Sequence, residues 1–211
     1  GATEGTDLAA FSLGLAALWA RSNARPGLAG TLAGFALLTR YTSAALIPVV
    51  LFPPPDDSHK RRSTARTFAA ITIATSPHWL LALITGAPVL PDQSGNLAIG
   101  ARAAVHGIGW DTLARLPGGI VSAAPFIFTG PGAGIGLVGL VAGGAWAWRR
   151  QDTASAGLAL RLLGWGALHW GLVAAAFANA RLVLPTRLCF ALGIGLALRH
   201  RPRILLPVSL A

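Results

Sequence analysis

Apolar residues run along this chain in long stretches, broken at intervals by short polar or basic segments. The first run, 8–20, follows Thr6-Asp7, a pair suited to capping a helix N-terminus, and ends in Arg21-Ser22-Asn23-Ala24-Arg25-Pro26. A second stretch, 29–52, divides into two halves, 27–39 and 41–53 with their flanks, hinged on Thr39-Arg40-Tyr41. A polar loop is expected at 53–66, then a full-length run at 67–87 with Ser76-Pro77-His78 at its centre. Pro77 lacks a backbone donor and is expected to kink that helix. Residues 88–130 form the longest polar section, where turn residues predict loops and 110–116 predict a short interfacial helix. Further apolar runs lie near 131–148, 157–179, 183–198 and 204–211. The pattern predicts an all-α fold.

The 29–52 stretch decides the topology. A membrane-spanning helix needs ~20 apolar residues, so either half is short by itself. Joined as one span, the halves would bury the Arg40 guanidinium at mid-membrane, where charge is costly. As a hairpin of two short helices they bring Arg40 to the interface instead. On the hairpin topology the segments 21–26, 54–66, 149–156 and 199–203 share one side. They carry two, four, two and three Lys or Arg, eleven of the seventeen in the chain. Basic loops concentrate on the cytosolic side, which favours the hairpin. The expectation is a polytopic integral membrane helix bundle with a re-entrant-like short helix hairpin and one longer outer-face segment, about 88–130. Glu4, Asp7, Arg40, Tyr41, Asp92, Asn96, Asp111, Arg115 and Arg181 then gather on the outer side.

Composition agrees with that class. Of 211 residues, 54% are hydrophobic and 11% charged, with a mean hydropathy of +0.60, whereas a soluble domain is roughly 25% charged. A net charge of +10 would suggest nucleic acid in a soluble protein. Here the basic residues sit in short loops between apolar runs, so membrane lipid is the expected partner and nucleic acid is not. The single cysteine, Cys189, excludes a disulfide framework. Gly30/Gly34, Gly132/Gly136 and Gly139/Gly143 have the spacing that lets helices approach closely. No methionine occurs, even at position 1, and the chain stops inside an apolar run. It reads as an internal piece of a longer protein, a single transmembrane domain truncated at its C-terminus. Abundant Ala, Gly, Arg and Pro with one lysine, Lys60, point to a GC-rich bacterial genome, hence to the bacterial inner membrane with the active side outward.

Several residues could carry chemistry. The Arg40 guanidinium at headgroup depth can bind a phosphate bidentately, with Tyr41 beside it; interfacial anchoring explains the pair equally. Glu4 and Asp7 could hold a divalent metal, orient a sugar hydroxyl or act as a general base. They could also simply complement a helix N-terminus. Arg181 is a second candidate for phosphate, and Arg187 is expected to face the protein interior. His78 and His169 lie in apolar runs, where interhelical hydrogen bonding is the simpler role. Gly134-Ile135-Gly136-Leu137-Val138-Gly139 matches a dinucleotide fingerprint, but no strand precedes it.

Ordered along the chain, these motifs resemble a known family. Thr3 through Asp7 at the start of a run, then AGTLAGFALLTRY at 29–41, is similar to the GT-C glycosyltransferases. The likeness is to the branch of the protein O-mannosyltransferases and the lipid A aminoarabinose transferase. Thr85-Gly86-Ala87-Pro88 through Asp92 and Asn96 resembles a G-N-P…D-Q…N stretch, with Ala87 in place of Asn. Arg181-Leu182-Val183-Leu184-Pro185 resembles R-Y-x-x-P, with Leu182 in place of Tyr. The resemblance implies transfer of a sugar from a polyprenyl-phosphate carrier to an acceptor at the outer face. Arg40, Tyr41 and Arg181 would hold the carrier phosphate, Asp92 and Asn96 would line the substrate cavity, and Asp7, with Glu4, would be an auxiliary carboxylate. The family's principal acidic residue lies in a first outer loop that this chain lacks. The base is therefore expected upstream, and the chain alone is expected to be inactive. Two alternatives remain open: a transporter or flippase subunit, which would use broken helices and intramembrane charge, and a non-catalytic membrane scaffold. No second copy of the 29–52 pattern occurs, which counts against the paired repeats usual in transporters.

Overall fold

A computed structural model of the chain describes residues 2–54, 57–85, 110–129, 131–176 and 183–200. Among these residues the fold is all-helical. Eight α-helices form: α1 (Ala2–Ser22), α2 (Pro26–Thr39), α3 (Leu46–Leu51), α4 (Lys60–Thr85), α5 (Trp110–Ile127), α6 (Pro131–Arg149), α7 (Thr153–Ala176) and α8 (Leu184–His200). A 3-10 helix, Tyr41–Ala45, precedes α3.

Local chemistry accounts for the element ends. Helix α2 opens on Pro26, whose missing N–H costs nothing in a first turn. It stops at Thr39, whose hydroxyl donates back to the Phe35 carbonyl at 2.8 Å, the local bond a threonine makes one turn back in a helix. Arg40 then adopts an extended conformation (φ −155°, ψ 118°). Its N–H closes α2 onto Ala36 and its carbonyl accepts from Ser43 N–H, each at 2.9 Å. One residue thus ends one helix and starts the next. Helix α4 runs unbroken through Pro77. The carbonyl that Pro77 cannot satisfy, at Ile73, accepts instead from the Ser76 hydroxyl at 2.8 Å.

Three sequence expectations are corrected. Helix α1 begins at Ala2, so Thr6-Asp7 lies inside the helix and not at its N-cap; Ala2 through Gly5 simply continue the helical path. Helix α4 begins at Lys60, taking in basic residues expected to be loop. Lys, Arg, Thr and Ala are compatible with a helix, and the Asp57 carboxylate accepts the His59 N–H just ahead of it. Helix α5 extends to Ile127 through Pro117 and Pro125, where only 110–116 were expected helical. Packing on α7 outweighs the prolines: Trp170 Nε1 donates to the Ile120 carbonyl at 3.3 Å, and Gly119 lies against the backbone of Ala174.

Glycine sets the helix contacts. A Cβ on Gly30 would collide with the Thr67 carbonyl, and one on Gly34 would lie 2.7 Å from Ala74 Cβ. Helices α2 and α4 therefore meet backbone to backbone through the predicted Gly30/Gly34 pair. Gly136 and Gly193 do the same for α6 and α8, whereas Gly132 faces open space. The core gathers Phe11, Leu18, Leu46, Val50, Leu140, Trp165, Val173 and Phe190 from α1, α3, α6, α7 and α8.

The ends of the bundle can be told apart. Arg21, at the end of α1, donates from Nε to the Val50 carbonyl near the end of α3 at 2.9 Å. Because α2 starts just after Arg21, the chain has gone out along α2, turned at Arg40 and come back. Arg161 of α7 meets Ser22 at the same level, Nη1 to Oγ 2.7 Å. Arg40 lies at the opposite end. Among the described residues one helix, α4, is by itself both long and apolar enough to cross a membrane. Leu8–Ser22, Pro26–Thr39, Thr42–Leu51 and Leu184–Leu196 are apolar but shorter.

Candidate functional site

The break at Arg40 opens a narrow cleft. Arg40, Thr42 and Ser43 form one wall, Ala10 and Phe11 of α1 a second, Trp165 and His169 of α7 a third, and Pro185 of α8 closes it. The walls meet closely, leaving essentially no enclosed room for a molecule even as large as water. Arg40 is half-buried, Thr42 and Ser43 are buried, and Trp165 and His169 are each only 1% exposed.

Each wall has a local cause. Trp165 stacks on Phe11 with ring centroids 5.1 Å apart. Its six-membered ring also covers Gly14, where a Cβ would overlap the ring, so only glycine at that position lets α7 come this near α1. One turn further along α7, the His169 ring is held by Thr186 of α8, Nδ1 to Oγ1 3.0 Å. The Thr186 hydroxyl also reaches the Gly166 carbonyl at 3.3 Å. A hydroxyl has one proton. Both bonds are made together only when Nδ1–H donates to Thr186 and Thr186 donates to Gly166. That arrangement puts a proton on Nδ1, and in the neutral ring it leaves Nε2 unprotonated.

Two buried polar atoms at this site have no partner among the described residues: His169 Nε2 and Trp165 Nε1. Buried polar groups are nearly always satisfied, and an orphan calls for an explanation such as a ligand. The cleft combines a cationic fork at Arg40, an indole N–H donor, hydroxyls from Thr42 and Ser43, and an imidazole acceptor. Arg40 is also close enough for its charge to act on His169. Such a set suits an oxyanion with a protonated or hydroxylated neighbour.

Of the residues singled out in the sequence, Arg40 lies in this cleft. Asp7 falls on α1 one turn before Phe11, and Glu4 one turn before that. Tyr41 opens the 3-10 helix. Asp92, Asn96 and Arg181 lie outside the described residues, although Pro185, the last residue of the Arg181 motif, does line the cleft. Arg187 is half-buried and donates to the Thr129 carbonyl at 2.9 Å. His169 makes the interhelical hydrogen bond expected of it, yet its second nitrogen belongs to the site. Trp165 and Thr186 were not foreseen. An aromatic four residues before a histidine in an apolar run was the available signal.

Among the described residues no group of three His, Cys, Asp or Glu could hold a metal ion. No family model, curated protein or solved structure matches this chain.

Proposed function

We propose that this chain is part of a polytopic membrane glycosyltransferase that moves a sugar from a polyprenyl-phosphate carrier to an acceptor at the outer face. The observation that carries the reading is the Arg40 cleft. A guanidinium at a helix break, next to two unsatisfied buried nitrogens, is suited to a phosphate leaving group. Charge developing on the departing phosphate oxygen would be stabilised by the Arg40 fork and the Trp165 N–H, donors fixed in advance in a site of low dielectric. Asp7 would act from one turn along α1.

The membrane part of the reading rests on exposed apolar surface. Only 22% of the most apolar window of α4 is buried, and Phe68, Ile73, Leu81, Leu83 and Ile84 are 60–83% exposed. A helix this apolar and this uncovered suits lipid better than water. At the Arg21 end, Arg25 lies over the Trp19 ring at 5.6 Å and Arg150 over the Trp146 ring at 5.4 Å. Trp–Arg pairs are typical of the headgroup layer.

The test is binding and transfer by full-length protein in native membranes. Arg40→Ala should abolish binding of a radiolabelled polyprenyl phosphate with expression unchanged, and Arg40→Lys should restore it in part; normal binding by Arg40→Ala refutes the phosphate role. Topology is tested with Ser58→Cys in a Cys189→Ala background. An impermeant maleimide added outside intact cells should not label it, and labelling there reverses the orientation.

A further inference from the structure

The end of the bundle opposite Arg40 holds a second unsatisfied site. Arg21 is fully buried, and Arg161 is buried to within 8% exposure. Arg21 spends Nε on the Val50 carbonyl and Nη1 on the Ser63 hydroxyl, while Nη2 is buried with no partner among the described residues. Arg161 donates to Ser22, and the Arg21 charge acts on it directly. Among the described residues one carboxylate, Asp57, comes within ion-pair range of Arg21, at 4.0 Å, and none does so for Arg161. Two buried guanidiniums therefore share one distant counter-charge.

Burying a charge is expensive unless it is paired and its protons are satisfied. Hydrogen bonds to neutral Val50, Ser63 and Ser22 satisfy some of the protons but leave a net positive charge in place. The surroundings increase the imbalance: Lys60, Arg61, Arg62 and Arg66 are exposed on the first turns of α4, directly beside Ser63. Backbone N–H groups at the start of α4 add the positive end of a helix dipole. The Trp19–Arg25 pair sets the depth of this end at a lipid headgroup layer.

We propose that Arg21 and Arg161 bind the phosphate of an anionic lipid headgroup at this end of the bundle. The phosphate enters past Ser22, which is exposed, displaces its hydroxyl from Arg161 Nη1 and takes up the free Nη2 of Arg21. Each arginine then donates to the phosphate from one guanidinium nitrogen, a pair of charge-assisted hydrogen bonds. Lys60, Arg61 and Arg62 collect anionic lipid around the site without forming it. Helix α7 begins eight residues before Arg161, about 12 Å further out, and the turn before it carries Arg150 against Trp146. The inference rests on the membrane part of the proposed function but not on sugar transfer.

The full chain is reconstituted in nanodiscs of phosphatidylcholine, alone or with a fifth phosphatidylglycerol, and its thermal midpoint is measured. Phosphatidylglycerol should raise the midpoint by about 5 °C. Arg161→Gln should abolish that rise, whereas Lys60→Gln/Arg61→Gln/Arg62→Gln should keep at least half of it. Arg161→Gln is chosen because Arg21 also braces α3, and loss of Arg21 would confound folding with binding. Inorganic phosphate added to phosphatidylcholine discs should give less than a third of the rise, because a free ion lacks the anchoring of the acyl chains. Equal midpoints in the two lipids, an unchanged rise in Arg161→Gln, or complete loss in the triple variant alone would overturn the proposal. A chain that fails to enter discs refutes the membrane reading itself, while one that enters them without a phosphatidylglycerol effect refutes only the headgroup site.

Discussion

Gly27 and Gly30 lie on the same helix, yet the same substitution at each should have opposite effects. A Cβ on Gly27 meets nothing within 4 Å. Gly27→Ala should therefore stabilise α2 by up to ~1 kcal/mol, the usual helix preference of alanine over glycine. A Cβ on Gly30 would overlap the Thr67 carbonyl and come within 2.8 Å of Ala70 Cβ. Neither neighbour is the flexible tip of a side chain, so α2 must shift away from α4. A gap of 0.5–1 Å forfeits about a quarter to a half of each dispersion contact across the seam, and overpacking of this kind costs about 1–3 kcal/mol. Net of the propensity gain, Gly30→Ala should lose up to about 2 kcal/mol. The two variants should then differ by the overpacking cost, about 1–3 kcal/mol, or roughly 2–12 °C in melting midpoint for a chain of this size. Differential scanning fluorimetry of detergent-solubilised protein reads this directly. If Gly30→Ala melts as high as Gly27→Ala, the backbone contact between α2 and α4 is not formed as described.

Further outcomes follow from other contacts. Ala24 and Gln151 end α1 and α6 with φ of 54° and 57°, in the left-handed region. Arg25 N–H to Ala20 and Asp152 N–H to Ala147 complete the usual glycine-type C-cap. Ala24→Gly and Gln151→Gly should each stabilise by about 0.5–1 kcal/mol, seen as additive increases in thermal midpoint. Thr186→Val keeps the shape but removes the partner of His169 Nδ1; it should cost about 1–3 kcal/mol, and an unchanged melt would show that the bond is absent. The Asp57 carboxyl is held below its ordinary value, first by the Ser63 hydroxyl, then by the His59 N–H, and less by Arg21. A carboxylate lowered in the folded state stabilises fully above its unfolded value, near pH 4, and that stability is lost as pH falls through the folded value. Asp57→Asn should flatten the acid limb of stability below about pH 4 while leaving the rest of the curve parallel to wild type. Cys189 is fully buried and should react with maleimide only after denaturation.

The apolar runs and their breaks were legible in the sequence because they follow from solvation alone. A dozen apolar residues ending in Thr39-Arg40-Tyr41 cannot carry a guanidinium onward at low cost, and the chain does break at Arg40. Gly30 and Gly34 were legible for the same kind of reason, since a four-residue spacing puts both on one helix face. The overlong polar segments were misread where polar residues are also adequate helix formers, as at Lys60–Arg66, or where a packed neighbour overrides proline, as in α5.

What the sequence could not decide was which way each helix faces. Helices such as α2 and α7 are apolar nearly all round, and the polar residues of α4 and α8 keep to no one face, so none of them carries an amphipathic stripe to show which residues point inward. Only the packed structure turns Trp165 onto Gly14 and Phe11, brings His169 to Thr186, and so sets two unsatisfied nitrogens in the cleft with Arg40. The same holds for Arg21 and Arg161, 140 residues apart in the chain: hydropathy reads both as interfacial charges, and tertiary contact alone makes them neighbours. Charge and hydropathy are properties of single residues and can be read in order. Facing and pairing arise when close-packed backbones select one rotation of each helix, and that selection exists only in three dimensions.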